Sequence, residues 1–272
     1  MKSEKKIKRS DLVTFICPLV LLICGALAVF SGTNNKLQPS KIAIRYGPLE
    51  MPIEDRKWII QTSETPNLPT MVSKIRLMLT LDLARYVLVN DIPGDFLETG
   101  TNAGGSTILL LKALEKFDAG GSRLCFGADS FEGLPPPVAE DKSGDMNVGH
   151  AHQMKVGLEL FMENMEKFQV NQERLRVLKG WFSETLPTAS IRQISFLRLD
   201  GDLYTSTMDA LKLSYSKLSK GGVVYADDYG SFNGCKKAID QFREENNITA
   251  PLFTQYLPDR EYVYESIYWI KE

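Results

Sequence analysis

The sequence predicts an α/β fold: a mostly parallel sheet with an antiparallel C-terminal edge, preceded by an N-terminal transmembrane segment. Three observations carry this. Two short apolar runs, Ile194 to Leu199 and Gly222 to Ala226, read as buried strands. Between them, Ser206 to Ser219 places Met208, Leu211, Tyr215 and Leu218 at helical spacing, and Gly221-Gly222 is expected to end that helix. Earlier, a glycine-rich turn from Gly100 to Ser106 leads a short strand into a helix. A strand, a crossover helix and a second strand lie parallel, so the carboxyl ends of the strands share one sheet edge.

The bulk properties set limits. The 272 residues suffice for one α/β domain and an extra segment, and are too few for two large domains. Charged residues are 24% and hydrophobic ones 43%, ordinary for a globular protein. A net charge of -2 gives no basic field for nucleic acid. The four Cys form no CxxC pair or Cys/His cluster, which argues against zinc and against a disulfide framework. A single Cys125–Cys235 bridge stays open.

In chain order, residues 1–11 form a basic tail and residues 12–30 an uncharged apolar run. Nineteen helical residues span roughly 28 Å, about the hydrocarbon thickness of a bilayer. The run reads as a membrane anchor, or as a signal peptide with Ala26-Leu27-Ala28 at its cleavage site. The basic tail puts the N-terminus in the cytoplasm and the domain across the membrane; signal cleavage would leave a secreted or lumenal chain instead. Residues 31–69, with Pro39, Pro48, Pro52, Pro66 and Pro69, read as a linker and lead-in to a domain over 70–272.

Met71 to Val89 carries apolar residues at helical spacing. The strand ending at Glu98-Thr99 then turns through Gly100, Gly104 and Gly105 into a helix from Thr107 to Phe117. Such a turn lets backbone N–H groups approach a ligand. Arg123 to Ala128 is a second strand, and Asp129 at its tip is placed to hydrogen-bond a ribose. Phe131 to Pro137 is rigid loop. Val138 to Gly149, acidic and without periodicity, reads as a candidate lid holding Asp141 and Asp145. His150 and His152 follow; lacking partner ligands, they point to a base or substrate contact sooner than to a metal. A helix is expected over His152 to Phe168 and a third strand over Leu175 to Leu178. Trp181 and Phe182 beyond that strand either stack on an adenine or fill the core. Cys235 to Glu245 reads as a helix. Two last strands, Leu252 to Leu257 and Tyr264 to Ile270, form a hairpin through Pro258-Asp259-Arg260. Asn247-Ile248-Thr249 fits a glycosylation acceptor, relevant in a eukaryotic secretory lumen.

Asp200 and the pair Asp227, Asp228 arrive at one edge, where open α/β sheets bind ligands. Close carboxylates repel one another unless something positive sits among them. The alternative is that they cap helices or pair with Arg198 and Lys236.

Five blocks resemble the macrocin O-methyltransferase family over roughly Met71 to the C-terminus. They are Glu98-Thr99-Gly100 with Gly104-Gly105-Ser106; Ala128 to Pro135; Gly180-Trp181-Phe182 with Thr185-Leu186-Pro187; Leu199 to Tyr204 with Ser206-Thr207; and Asp227 to Gly230 with Gly234-Cys235. The resemblance implies a Rossmann-like class I methyltransferase fold, dependence on S-adenosylmethionine and Mg²⁺, and methylation of sugar hydroxyls on natural products. It implies cofactor contacts at Glu98, Gly100, Thr101, Asn102, Gly104, Ser106, Asp129 and Ser130, beside the aromatic Trp181 and Phe182. It implies metal ligands at Asp200, Asp227 and Asp228. Thr101-Asn102-Ala103 departs from the bulkier residues expected there, and the membrane segment lies outside the family pattern.

A sulfonium methyl is already activated, so the protein has mainly to align a hydroxyl and exclude water. An aspartate with an ordinary value of about 3.9 is a feeble base toward an alcohol. A divalent cation on all-oxygen ligands, Mg²⁺ or Mn²⁺, remedies that. Asp200 is expected to accept the proton, with Asp202 as substitute. The rival expectations are a catechol-like phenol methyltransferase, served by Trp181, Tyr204 and Tyr229, and a membrane-tethered nucleotide-binding domain without turnover. Homo-oligomerisation stays open.

Overall fold

The computed structural model describes residues 51–141, 154–254 and 265–272. The apolar run 12–30, the basic tail, His150 and His152 lie outside them. Among the described residues no helix is long and apolar enough to cross a membrane.

Six strands form one sheet in the order β3-β2-β1-β4-β5-β6. They are β1 (Asp95–Thr99), β2 (Cys125–Asp129), β3 (Leu175–Lys179), β4 (Ile194–Leu199), β5 (Leu218–Ala226) and β6 (Ile267–Ile270). The first five run parallel, and β6 pairs antiparallel with β5. Alternation along the strands divides the core into two layers. Phe96, Phe196 and Tyr225 face α1 (Ile53–Ser63), α2 (Lys74–Val89), α3 (Gly105–Phe117) and α4 (Leu158–Lys167). Leu97, Leu197 and Val224 face α6 (Tyr204–Ser214) and α7 (Asn233–Glu245), with the short α5 (Phe182–Thr185) beside them.

Register aligns the strand ends. Thr99 pairs with Ala128 and with Leu199, and Leu199 pairs with Ala226. The ladder runs one residue further: Gly100 N–H donates to Ala128 O at 2.8 Å, and Asp200 and Asp227 N–H donate to Thr99 O and Leu199 O at 2.9 Å. Gly100, Asp200 and Asp227 therefore leave the sheet in one row, where strand order reverses between β1 and β4.

Four expectations change. The linker 31–69 contains α1. Its signal is weak because only Ile59, Thr62 and Ser63 are buried. Asp55 Oδ2, 2.7 Å from Arg85 Nε, and Trp58, edge-on to Phe117 at 5.1 Å, fasten it. Gly221-Gly222 does not end a helix. The helix stops at Ser214, one 3₁₀ turn follows, and β5 begins at Leu218. Gly221, at φ +79, instead bends the strand where its register with β4 shifts. Of the expected C-terminal hairpin, β6 is present, while its partner is reduced to one bridge, Phe253 to Tyr268; residues 255–264 lie outside the described set. Cys125 and Cys235 are free and buried. They sit in opposite core layers, which precludes a bridge.

Two predictions follow from this packing. A Cβ on Gly100, at φ +91, would lie 1.8 Å from the Asp200 carbonyl oxygen. Gly100→Ala is expected to cost roughly 2 kcal/mol or more in urea unfolding, because the neighbouring strand end must move. On α2, burial raises the Asp82 carboxyl from 3.8 to about 6 despite Arg56 and Arg85 nearby. The folded chain therefore holds this proton after the unfolded chain has lost it. Stability falls as pH rises from about 4 to about 6, and the cost persists above. Asp82→Asn is expected to stabilise the protein by about 1–2 kcal/mol at pH 7.5 and not at all at pH 3.5, read by urea unfolding at both pH values.

Candidate active site

A cavity of about 460 Å³ opens over the aligned strand ends. Gly100, Thr101, Asn102 and Ser106 form one side, Asp129, Ser130, Trp181 and Phe182 the next, and Asp200, Asp202, Asp227 and Asp228 the third. That volume suits a drug-sized ligand.

The turn after β1 is held by Asp129. Its Oδ2 accepts from Thr101 N–H at 2.8 Å and Asn102 N–H at 2.9 Å, and its Oδ1 from Phe131 N–H at 2.8 Å. Asp129 thus shapes the turn as well as lining the cavity. Asn102, at φ +47, accepts from Ala103 N–H and donates to Met154 O at 3.0 Å. Ser130 Oγ closes its own loop, donating to Gly133 O at 2.8 Å.

Two expected cofactor residues do not reach the wall. A Cβ on Gly104 would sit 2.3 Å from Met165 Cε, so this glycine lets α3 pack on α4. Glu98 lies beneath the floor with no exposure. It accepts from Thr107 Oγ1 at 2.5 Å and Arg198 Nη1 at 3.1 Å, and burial pushes its carboxyl up to about 7 against the pull of Arg198.

The positive charge that clustered acids require comes from two arginines. Arg198, fully buried in β4, contacts Glu98, Asp200 and Asp227. Arg76 of α2 meets Asp227 Oδ2 at 2.6 Å and Glu265 Oε2 at 3.3 Å. Lys236 bonds Tyr229 and Asp240 instead.

The trio Asp200, Asp227, Asp228 is not the one brought together. The strand's alternation persists past Ala226, so Asp227 faces the same layer as Tyr225, whose hydroxyl donates to it at 2.6 Å. With Arg76 and Arg198 also present, both its oxygens are engaged. Asp228 emerges on the other face. Asp202, turned back by a left-handed φ of +57, joins it and Asp200. One oxygen from each of these three lies within 4.8 Å of the others. Burial and the Asp200 charge push Asp202 up to about 7. Burial, then Asp202 and Asp200, push Asp228 well above the ordinary range. Asp228 Oδ2 is buried without a hydrogen-bond partner.

Sequence reasoning missed Arg76, Tyr225 and the wall made by Pro69 to Val72. An arginine inside the apolar helix α2 was the available signal for the first. Pro69 and Thr70 lie against the start of α3: a Cβ on Gly105 would stand 2.6 Å from Thr70 Cβ.

Residues 50–259 match the family model described as Macrocin-O-methyltransferase (TylF). The demethyldecarbamoylnovobiocin O-methyltransferase of Streptomyces niveus is 38% identical over 73% of this chain and 75% of its own length. The mycinamicin III 3''-O-methyltransferase of Micromonospora griseorubida is 34% identical over 66% and 72% respectively. The solved structure of the O-methyltransferase NovP superposes with a TM-score of 0.65 at 35% identity, covering 74% of this chain and 81% of that one. With a glycine turn, an acid-tipped second strand and an acidic cluster on one sheet edge, the chain belongs to the macrocin O-methyltransferase (TylF) family and is an S-adenosylmethionine-dependent O-methyltransferase.

Proposed function

We propose that the protein methylates a sugar hydroxyl on a glycosylated natural product, with a divalent cation held by Asp200, Asp202 and Asp228. The observation that carries this is the group of three carboxylate oxygens within 4.8 Å, opening on the same cavity as the cofactor turn. The group fits a cation: Asp228 Oδ2 is buried and unpartnered, and burial together with the neighbouring carboxylates raises the proton affinity of Asp202 and Asp228. An all-oxygen set suits Mg²⁺ or Mn²⁺. When bound, such an ion would lower the hydroxyl's pKa and favour its alignment.

The chain's own residues supply the rest. The Gly100–Ser106 turn, Asp129 and Ser130 hold the methyl donor, and Trp181 and Phe182 flank its adenine. Arg198 fixes Asp200, which takes the acceptor's proton; Asp202 is the substitute. Met71 and Met154, 68% and 48% exposed, line the cavity and suit an acceptor with an apolar body beside its sugar. A phenol reading loses support. Tyr204 donates to Gln241 at 2.8 Å and Tyr229 to Asp240 at 2.7 Å, and neither lines the cavity.

Asp200→Asn is expected to lower methyl transfer to a glycoside panel by roughly 100-fold or more while leaving S-adenosylmethionine affinity within a few-fold, and EDTA to mimic it. Full turnover in EDTA would sink the cation reading. The resemblance gives Asp227 as a ligand, which would have to release Arg76 and Tyr225. Mn²⁺ titration separates the two sets: Asp202→Asn is expected to weaken Mn²⁺ and Asp227→Asn to leave it bound, and the reverse order restores Asp227.

The apolar run 12–30 we propose as an anchor that keeps the tail cytoplasmic and carries the domain across the membrane, where S-adenosylmethionine must be transported. Asn247 is exposed and so can report the side. Expressed full-length in eukaryotic cells, the chain should show an endoglycosidase-sensitive mass shift that Asn247→Gln abolishes. An unglycosylated domain that protease digests outside sealed microsomes would reverse the orientation.

A further inference from the structure

Asp141 stands in the acidic stretch that the sequence suggests as a lid, yet the structure buries it to 4% exposure. Its Oδ1 accepts from Tyr204 N–H at 2.7 Å and its Oδ2 from Val138 N–H at 2.9 Å. Its own N–H donates to Val138 O at 3.1 Å. Tyr204 is the first residue of α6 and directly follows the turn Asp200 to Leu203. Leu203 stands at the cap position and offers no side-chain cap. Asp141 therefore caps α6 from a distant part of the chain, and its charge suits a helix N-terminus.

Gly234, near the start of α7, makes room for this contact. A Cβ there would lie 1.9 Å from Asp141 Oδ1 and 2.9 Å from Tyr204 N. The turn between β4 and α6 is thus pinned at both ends, by Asp200 N–H on Thr99 O and by Asp141 on Tyr204. Between the pins, Asp202 is held at φ +57, a conformation it would otherwise leave.

We propose that Asp141 is a positioning residue that sets the turn carrying Asp200 and Asp202, and so the affinity for a divalent cation. This rests on the cation reading above. It assigns Asp141 no contact with donor or acceptor; the residue acts through the backbone it caps, as residues that orient metal ligands do.

The test is Mn²⁺ binding to the full-length chain without acceptor, read by the electron paramagnetic resonance of free Mn²⁺, with S-adenosylmethionine affinity measured in parallel. Asp141→Ala is expected to weaken Mn²⁺ roughly 10-fold or more, leaving the methyl donor within about twofold. Asp141→Asn keeps an oxygen for Tyr204 N–H and should recover most of the loss. Gly234→Ala leaves every carboxylate in place but displaces that of Asp141, and should weaken Mn²⁺ as Asp141→Ala does. Should Asp141→Ala fail to fold, the contrast between Asp141→Asn and Gly234→Ala decides. Wild-type Mn²⁺ affinity in Gly234→Ala, or equal losses of Mn²⁺ and methyl donor in all three variants, overturns the proposal alone. A wild-type chain that binds no Mn²⁺ overturns the cation reading and this proposal with it.

Discussion

The buried guanidinium of Arg198 is the constraint on which the rest of this edge depends. It carries full charge with no exposure, and Glu98, Asp200 and Asp227 surround it. Arginine does not shed its proton to escape burial, so the carboxylates must stay. Removing one partner of such a group leaves a buried charge uncompensated, at about 3–5 kcal/mol. The arrangement is consequently rigid, and its rigidity is useful. Glu98 beneath the floor ties β1 to β4, while Asp200 at the rim is fixed by the same cation that Glu98 neutralises. Arg76 extends the network to α2 and to Glu265, beside the antiparallel edge strand.

Geometry divides the acids into two groups with different work. Residues that continue the alternation of β5 toward the α2 layer meet arginines, and Asp227 is spent there. Asp202 and Asp228 meet each other and Asp200, which alone of the three also touches Arg198. Burial first, and then repulsion among them, raises the proton affinity of Asp202 and Asp228, as expected of close carboxylates with too little positive charge beside them. A structural salt-bridge network would have closed that deficit with a third basic side chain. Lys236, the candidate in the sequence, turns away to Tyr229 and Asp240.

Much of this was legible in the sequence. The bounds of β4 agree at both ends, because a run of Ile, Ser, Phe, Leu, Arg and Leu closed by acids has few other readings. The row of strand ends followed from parallel pairing alone. Other features were hidden for physical reasons. Helix α1 buries too little to show a period. Gly221-Gly222 has the composition of a helix stop, and only the pairing of β5 reveals a bend. Adjacent Asp227 and Asp228 look alike in the sequence, and only the contact of Asp227 with Tyr225 shows that it keeps to that residue's face. Asp141 was placed in a lid because acidity and lack of period mark a solvated loop. Its partner, a backbone N–H sixty-three positions away, leaves no trace in composition.

The division of labour also explains why no sequence block names the acceptor. The acids and the glycine turn proposed to hold the donor both come from the sheet edge, where register fixes Gly100, Asp200 and Asp227 to one row. The opposite wall comes from Pro69 to Val72, ahead of the first strand, and from Met154 after the acidic stretch. These segments answer to no ladder. Met154 is held through its backbone, with Asn102 Nδ2 donating to its O, and the side chains of Met71 and Met154 stay exposed. A substitution there changes the shape offered to an acceptor without touching the carboxylates or the buried Arg198. In the proposed reading the reaction is tied to the sheet and the choice of acceptor to the segments laid across it, so one can vary while the other stays fixed.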